Sequence, residues 1–134
     1  MIAGIALISS YSFAGTPPAP VQKAFDQKFP HATSVKWGKE GAKEWEAEFT
    51  FNGGKLSANF TNEGAWVETE QVIAASAFPK AVSDAIKTKY PGYTIAEADK
   101  TETAKNGTIY EADIKNGKDK KEVAFKEDGT PVTE

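Results

Sequence analysis

The feature that most constrains this chain is an internal duplication. The stretches 21–67 and 82–132 align with each other over most of their length. Val-x-x-Ala-Phe-x-x-Lys-Phe-Pro in the first matches Val-x-x-Ala-Ile-x-x-Lys-Tyr-Pro in the second, and Trp-Glu-Ala-Glu-Phe matches Tyr-Glu-Ala-Asp-Ile. A copy of about 50 residues buries only a marginal core by itself. The 134 residues therefore predict one continuous structure made of two similar parts.

Each copy opens with the pattern of a short amphipathic helix. Apolar residues recur at i, i+3, i+4 and i+8, and a proline ends each pattern, at Pro30 and Pro91. The apolar positions of the two patterns are Val21, Ala24, Phe25 and Phe29, and Val82, Ala85, Ile86 and Tyr90. A helix of roughly ten residues is predicted at the start of each copy.

Alternation with period two follows each helix. In the first copy Trp45, Ala47 and Phe49 alternate with glutamates, and Asn52-Gly53 then predicts a tight turn into a second alternating run. The second copy repeats this hairpin around Asn116-Gly117. With further strands expected at about 33–38, 66–72, 93–101 and 130–133, the prediction is an α+β fold. It consists of two tandem helix-plus-four-stranded antiparallel meander repeats, 21–73 and 74–134, forming one curved sheet with helices on one face.

The amino-terminal end has the pattern of an export signal. Residues 1–20 carry no charge, and an apolar run over 2–8 precedes Ser12-Phe13-Ala14, a small-x-Ala cleavage pattern. This run is too short to span a membrane, so 1–14 is predicted to be a signal peptide and 15–20 a flexible amino end, with no membrane anchor. The absence of a basic residue after Met1 leaves open a first strand or helix of the mature fold. Since the chain has no cysteine, a disulfide-free protein of the periplasm, or a secreted one, is predicted.

Composition excludes several classes of function. All sixteen cations are lysine and the net charge is −3, so nucleic acid is not expected as a partner. His31 is the only histidine, and no nucleophile motif accompanies it, so no catalytic residue and no cofactor are predicted. Asp113, Asn116 and Asp119 offer oxygen ligands but lack the ordered spacing of a calcium loop, so they are interpreted as turn residues and no metal site is predicted.

Trp66 stands out as a candidate anchor for a protein partner. If Val67 points into the core, Trp66 alternates with it and joins Glu68 and Glu70 on the open face of the sheet. An aromatic side chain within a polar rim is typical of an interface hot spot. The predicted partner-binding residues are Trp66, Glu46, Glu48, Asn59, Thr61, Glu68 and Glu70. A bulge at the adjacent turn would instead direct Trp66 inward, and this alternative stays open.

The order of these motifs resembles one family. Phe-Pro-x-Ala-x-x-Val-x-Trp, aromatic-Glu-Ala-Glu-Phe, Asn-Gly, Phe-x-x-x-Gly-x-Trp and Tyr-Pro-Gly-Tyr, read along the chain, are similar to the PepSY-like, β-lactamase-inhibitor-like proteins of bacterial envelopes. The resemblance covers nearly everything after residue 20. It implies tandem helix-plus-meander repeats, and it implies no established activity. Relatives by fold include inhibitors that hold a partner with the open sheet face.

The sequence thus predicts an exported, non-enzymatic binding protein that acts on an unidentified envelope or secreted protein, as an inhibitor or modulator. Its four glutamates, Glu46, Glu48, Glu68 and Glu70, favour a partner that presents lysine or arginine. The alternative is a periplasmic protein that binds a small molecule or calcium on the same acidic face.

Overall fold

The computed structural model describes residues 15–133 and has an α+β fold. Within these residues there are seven antiparallel strands, in a sheet whose strand order is β1-β2-β3-β4-β5-β6-β7, and two α-helices. The elements are α1 (Ala19–Lys28), β1 (Thr33–Glu40), β2 (Glu44–Phe51), β3 (Gly54–Thr61), β4 (Trp66–Ile73), a 3₁₀ turn (Ala75–Ala77), α2 (Lys80–Lys89), β5 (Thr94–Thr103), β6 (Gly107–Asn116) and β7 (Asp119–Lys126). None of the helices in this part of the chain is long and apolar enough to cross a membrane.

The described residues divide into two compact units, which we call the first unit (15–70) and the second unit (71–133). Helix α1 begins at Ala19, within the segment predicted to be a flexible amino end. The predicted signal peptide, 1–14, lies outside the described residues.

Both helices are ten residues long, as the apolar spacing predicts. A proline lies at or next to the first turn of each, where its missing N–H costs nothing. The chain leaves the helix at Phe29 and at Tyr90, directly before the prolines that cannot continue it.

The core of the first unit is aromatic. The ring of Phe25, on α1, lies 4.9 Å from that of Phe49 and 5.1 Å from that of Trp37, both edge to face. Trp45 is buried in the same cluster, and Trp37 packs against it. Both tryptophans thus contribute to the core of the first unit.

The core of the second unit is mainly aliphatic. Val82 and Ile86 of α2 pack with Ala112 and Ile114 of β6 and with Phe125 of β7. Where the first unit has Phe25, the alignment of the two copies places Ile86. Each unit therefore buries the helix face and strand face that its own periodicity predicts.

The β2–β3 turn has the predicted geometry. Asn52 and Gly53 both adopt positive φ, 50° and 81°, as a two-residue type I′ hairpin requires. The turn after β3 approaches the helix of its unit, because a Cβ on Gly64 would lie 2.5 Å from the carbonyl oxygen of Pro20. Only glycine fits that position.

The predicted final strand at 130–133 is not a full strand. In the described part of the second unit, β5, β6 and β7 are followed by one isolated bridge between Phe125 and Pro131, supported by a hydrogen bond from the Val132 N–H to the Ala124 carbonyl. Pro131 has no N–H to donate, so a continuous ladder cannot form there.

Candidate binding face

The face of the first unit's strands opposite α1 is polar, and strand register arranges its side chains in rows. Glu46 lies opposite Gly38 on one side and Asn59 on the other, and Asn59 in turn lies opposite Glu68. One step along the strands, a parallel set of pairs joins β2, β3 and β4. We call these two sets the polar rows of the first unit, and their members are Glu46, Asn59 and Glu68, and Glu48, Ser57 and Glu70.

The polar rows are recessed rather than exposed. Glu46 is 0% exposed and Asn59 is 1% exposed, while Glu48 is half-buried. Sequence analysis placed these residues on the open face of the sheet, and in the structure they have little contact with solvent. The polar pattern of a strand predicts which side chains face away from the apolar core, but it does not predict how much of each side chain is exposed to solvent.

Asn59 lies at the centre of this arrangement. Its Nδ2 donates a hydrogen bond to Glu40 Oε2 and lies 3.4 Å from Glu44 Oε1. Because an oxygen at that position would face carboxylate oxygens, the amide orientation is fixed by its neighbours. The Oδ1 atom is buried and has no hydrogen-bond partner within residues 15–133. It is therefore a buried acceptor that the described part of the chain leaves unsatisfied.

The structure does not place Trp66 on the polar face, so the sequence prediction of its position is wrong. A register shift between Asn59 and Phe60 places Trp66 opposite Phe60, on the α1 side. The ammonium of Lys28, on α1, lies 3.9 Å from the centre of the Trp66 ring. The indole Nε1–H of Trp66 donates a hydrogen bond to Thr69 Oγ1 at 2.9 Å. The bulge alternative is the one that the structure shows.

Thr61 forms hydrogen bonds with the turn that follows it. Its Oγ1 accepts a hydrogen bond from the Ala65 N–H at 3.1 Å, and its own N–H donates to the Ala65 carbonyl. The other predicted residues, Glu46, Glu48, Asn59, Glu68 and Glu70, share the polar rows. Register therefore brings together five of the seven predicted residues.

The second unit carries a facing pair of carboxylates that sequence reasoning did not single out as a site. Asp99 of β5 lies directly opposite Glu111 of β6, and Glu97 lies opposite Asp113 in the next row. Asp99 is 7% exposed and Glu111 is 6% exposed. A signal was available, because the alignment of the two copies places Asp99 on Gly38 and Glu111 on Glu46, which are themselves opposite each other.

Burial and like charge change the titration of this pair. Burial, together with the negative charges of Glu97, Glu111, Asp113 and Glu122, raises the pKa of Asp99 to about 7. Burial also raises the pKa of Glu111, and the neighbouring Thr101 and Glu122 side chains oppose that shift. The facing pair therefore carries less than two full negative charges at neutral pH.

Neither unit presents an evident metal centre among the described residues. Within residues 15–133, no group of three or more acidic or histidine side chains converges in a way that could hold a metal ion. His31 is exposed in a left-handed turn, with φ of 68°. The chemistry available on both polar faces is acceptance of hydrogen bonds and attraction of positive charge.

Comparison with known proteins identifies the family of this chain. The profile of the family described as "Putative beta-lactamase-inhibitor-like, PepSY-like" matches residues 43–131, about two thirds of the chain. The chain belongs to this PepSY-like family. No functionally curated protein matches the sequence.

Solved structures show the same fold as this PepSY-like protein. A DUF2874 family protein from Bacteroides ovatus has a TM-score of 0.79 at 22% identity, over 90% of this chain and 87% of that one. A BLIP-like protein from Bacteroides fragilis has a TM-score of 0.75 at 22% identity, over 90% and 86%. A protein from Bacteroides eggerthii, described there as periplasmic, has a TM-score of 0.77 at 21% identity, over 89% and 88%.

Proposed function

We propose that this chain is an exported, non-enzymatic binding protein whose polar rows in the first unit hold a basic segment of a partner protein. Supporting residues are the four glutamates of the rows together with Asn59. The single observation that carries the proposal is that register places these acceptors side by side on β2, β3 and β4.

The recessed position of the rows favours long cationic side chains in the partner. A lysine or arginine carries its charge at the end of a flexible apolar stem, so it reaches a carboxylate that lies below the surface. Glu48 and Glu44 are half-buried, and they form the accessible rim. Complementary charge of this kind raises the association rate and selects among partners.

The location and the class of partner draw on the comparisons. The Bacteroides eggerthii neighbour is described as periplasmic, which agrees with the location that the amino-terminal sequence predicts. The family description reads "beta-lactamase-inhibitor-like", and the Bacteroides fragilis neighbour is described as BLIP-like. A secreted β-lactamase therefore belongs among the first candidate partners, and inhibition would be the form that binding takes.

The two units are, in this proposal, copies of one ancestral unit. Gly64 and Gly129 correspond in the alignment, and a Cβ on either would collide with the backbone oxygen of the residue near the start of its own helix, Pro20 or Ala81. The same steric requirement at matched positions supports duplication.

The test measures how strongly the wild type and single-residue variants of this chain bind one identified partner protein. The chain, expressed with its leader and purified as the exported form, captures a partner from an envelope extract, and affinity for that purified partner is then measured by calorimetry. Glu48→Lys places a cation in the rim of the rows, so we expect affinity to fall at least tenfold, about 1.4 kcal/mol. Raising the ionic strength should weaken binding by the wild type.

Glu63→Lys is the matched control, because Glu63 is exposed in the β3–β4 turn and the change in charge is the same. It should leave the affinity close to that of the wild type. Equal losses for Glu48→Lys and Glu63→Lys would show that net charge, and not the rows, governs binding, and the proposal would fail.

A further inference from the structure

The second unit contains a buried acceptor that its own fold does not satisfy. Asp99 Oδ1 has no hydrogen-bond partner within residues 15–133, although the residue is more than nine-tenths buried. A buried polar atom in this state needs an explanation in a bound water, an ion or a ligand. The atom belongs to the facing pair, so the unsatisfied acceptor lies next to a second carboxylate, that of Glu111.

The chain supplies no cation to this pair among its described ion pairs. Those are Lys80 with Asp84, Lys100 with Glu102, and Lys121 with Asp119, and all involve exposed side chains. In the rows of the same face, Ile109 and Ala124 are the apolar neighbours. The nearest lysine in the register of this face is Lys126, opposite Ile109, one row away. The pair thus has the apolar Ala124 in its own row, and the adjacent rows of the face hold both Ile109 and charged side chains.

We propose that Asp99 and Glu111 bind one guanidinium group. A planar guanidinium offers five donors in a fixed fork and is weakly hydrated, so it suits two carboxylates in a buried place. Directly opposed residues on a sheet have Cβ atoms about 4.5–5.5 Å apart, a separation that one such group can bridge. A metal ion fits less well, since no three acidic side chains of residues 15–133 converge as ligands.

The titration of the pair supports this assignment. The charged groups that share this face with Asp99 are Glu97 on its own strand, Glu111, Asp113 and Lys115 on β6, and Lys120, Glu122 and Lys126 on β7. Burial and the acidic members raise the pKa of Asp99 to about 7. A bound cation favours the ionised carboxylate, so binding releases a proton, and affinity should be about tenfold higher at pH 8 than at pH 6.

The test uses two probes, agmatine and the capped peptide acetyl-Gly-Arg-Gly-amide, with the exported form of the chain. Amide chemical shifts follow each titration at pH 6 and pH 8. We expect saturable shifts in β5 and β6, at least tenfold weaker binding in Asp99→Asn and in Glu111→Gln, and unchanged binding in Glu127→Gln. Glu127 is exposed in the turn after β7 and undergoes the same loss of charge.

The two probes distinguish the source of the guanidinium. Binding of the peptide supports an arginine of a protein partner, and binding of agmatine alone supports a free small molecule; either result supports the site. Two outcomes overturn the inference: no saturable binding of either probe to the wild type, or equal binding by Asp99→Asn, Glu111→Gln and the wild type. Calcium that competes one to one with agmatine would also overturn it, because the pair would then be a metal site.

This inference stands apart from the proposed function, because the facing pair lies in the second unit and the polar rows lie in the first. A partner that is lost in Glu48→Lys, with no binding of agmatine or peptide, would refute the inference alone. Asp99→Asn keeps the shape of the side chain, so a thermal melt of each variant establishes that a loss of binding is not a loss of folding.

Discussion

The buried acidic residues on the polar faces of the two units have different cross-strand neighbours. In the first unit Glu46 lies opposite Gly38 and Asn59, so its direct neighbours across the sheet are uncharged. In the second unit the corresponding glutamate, Glu111, lies opposite Asp99 and Ala124. Asp99 stands where the first unit has Gly38, and this difference creates a like-charge pair. Similar strand patterns can therefore carry either a glutamate with uncharged neighbours or a titrating pair, and the residue at the cross-strand position decides which.

The cores differ as well, and replacing a central core residue should produce the largest effect. Phe25→Ala removes a ring that packs on Phe29, Trp37, Phe49 and Phe60, and should cost about 4 kcal/mol of unfolding free energy. Ile86→Ala, at the corresponding position of the second unit, should cost about 3 kcal/mol, because fewer buried atoms are lost. Urea denaturation measures both.

Val72→Ala is the control for this pair, since Val72 is 55% exposed and its truncation should change stability little. A larger loss in Ile86→Ala than in Phe25→Ala would mean that the aliphatic core, and not the aromatic one, dominates stability.

The like-charge pair should make the stability of the chain depend on pH. The pKa of Asp99 rises from 3.8 to about 7 on folding, so the folded state binds the proton more tightly. Ionised Asp99 therefore lowers the free energy of unfolding. This loss of stability is absent below pH 3.8, grows as pH rises towards 7, and is complete above pH 7. Asp99→Asn should therefore stabilise the protein by roughly 2–4 kcal/mol at pH 8 and by much less at pH 4.

Chemical denaturation at the two pH values measures this effect. Asp128→Asn serves as the comparison, because hydrogen bonds from Thr130 lower the pKa of Asp128 and its contribution has the opposite sign. If Asp99→Asn gave the same change in stability at pH 4 and pH 8, the titration of Asp99 would not be linked to folding.

The like-charge pair of the second unit can be built into the first by one substitution. Gly38→Asp places a carboxylate opposite Glu46, and repulsion between directly opposed like charges should cost about 1 kcal/mol more at pH 8 than Gly38→Asn does. The asparagine variant has the same shape without the charge, so it removes the steric part of the change. Equal stability of the two variants at pH 8 would show that Glu46 tolerates an opposed charge, contrary to this account.

The smallest expected effect concerns Trp66, which has Pro131 as its counterpart in the second unit. Lys28→Gln removes the ammonium above the indole ring and should cost about 0.5 kcal/mol. Thermal denaturation followed by tryptophan fluorescence measures it. Lys23→Gln, an exposed position of the same helix, should have no effect. If Lys23→Gln lowered stability as much as Lys28→Gln does, the effect would come from the charge of the helix in general and not from the contact with Trp66.

Much of the local structure was predictable because it depends on neighbours along the chain. The spacing of Val21, Phe25 and Phe29 predicts α1 and its buried face, and Asn52-Gly53 predicts the hairpin that pairs Glu46 with Asn59. The position of Trp66 was not predictable, since a bulge of one residue reverses the face on which every later side chain of a strand lies. No local propensity determined that the bulge would fall between Asn59 and Phe60.

The two helices, the hairpin turns, the apolar faces and the exclusion of thiolate chemistry follow from the sequence, because periodicity, glycine and composition act over a few residues. The depth at which the glutamates lie, the α1 side as the place of Trp66, and the facing of Asp99 and Glu111 in a buried position depend on tertiary contacts. These features depend on cross-strand register and on burial. Both arise from contacts between residues that are far apart in the chain, so alternation along one strand does not specify them.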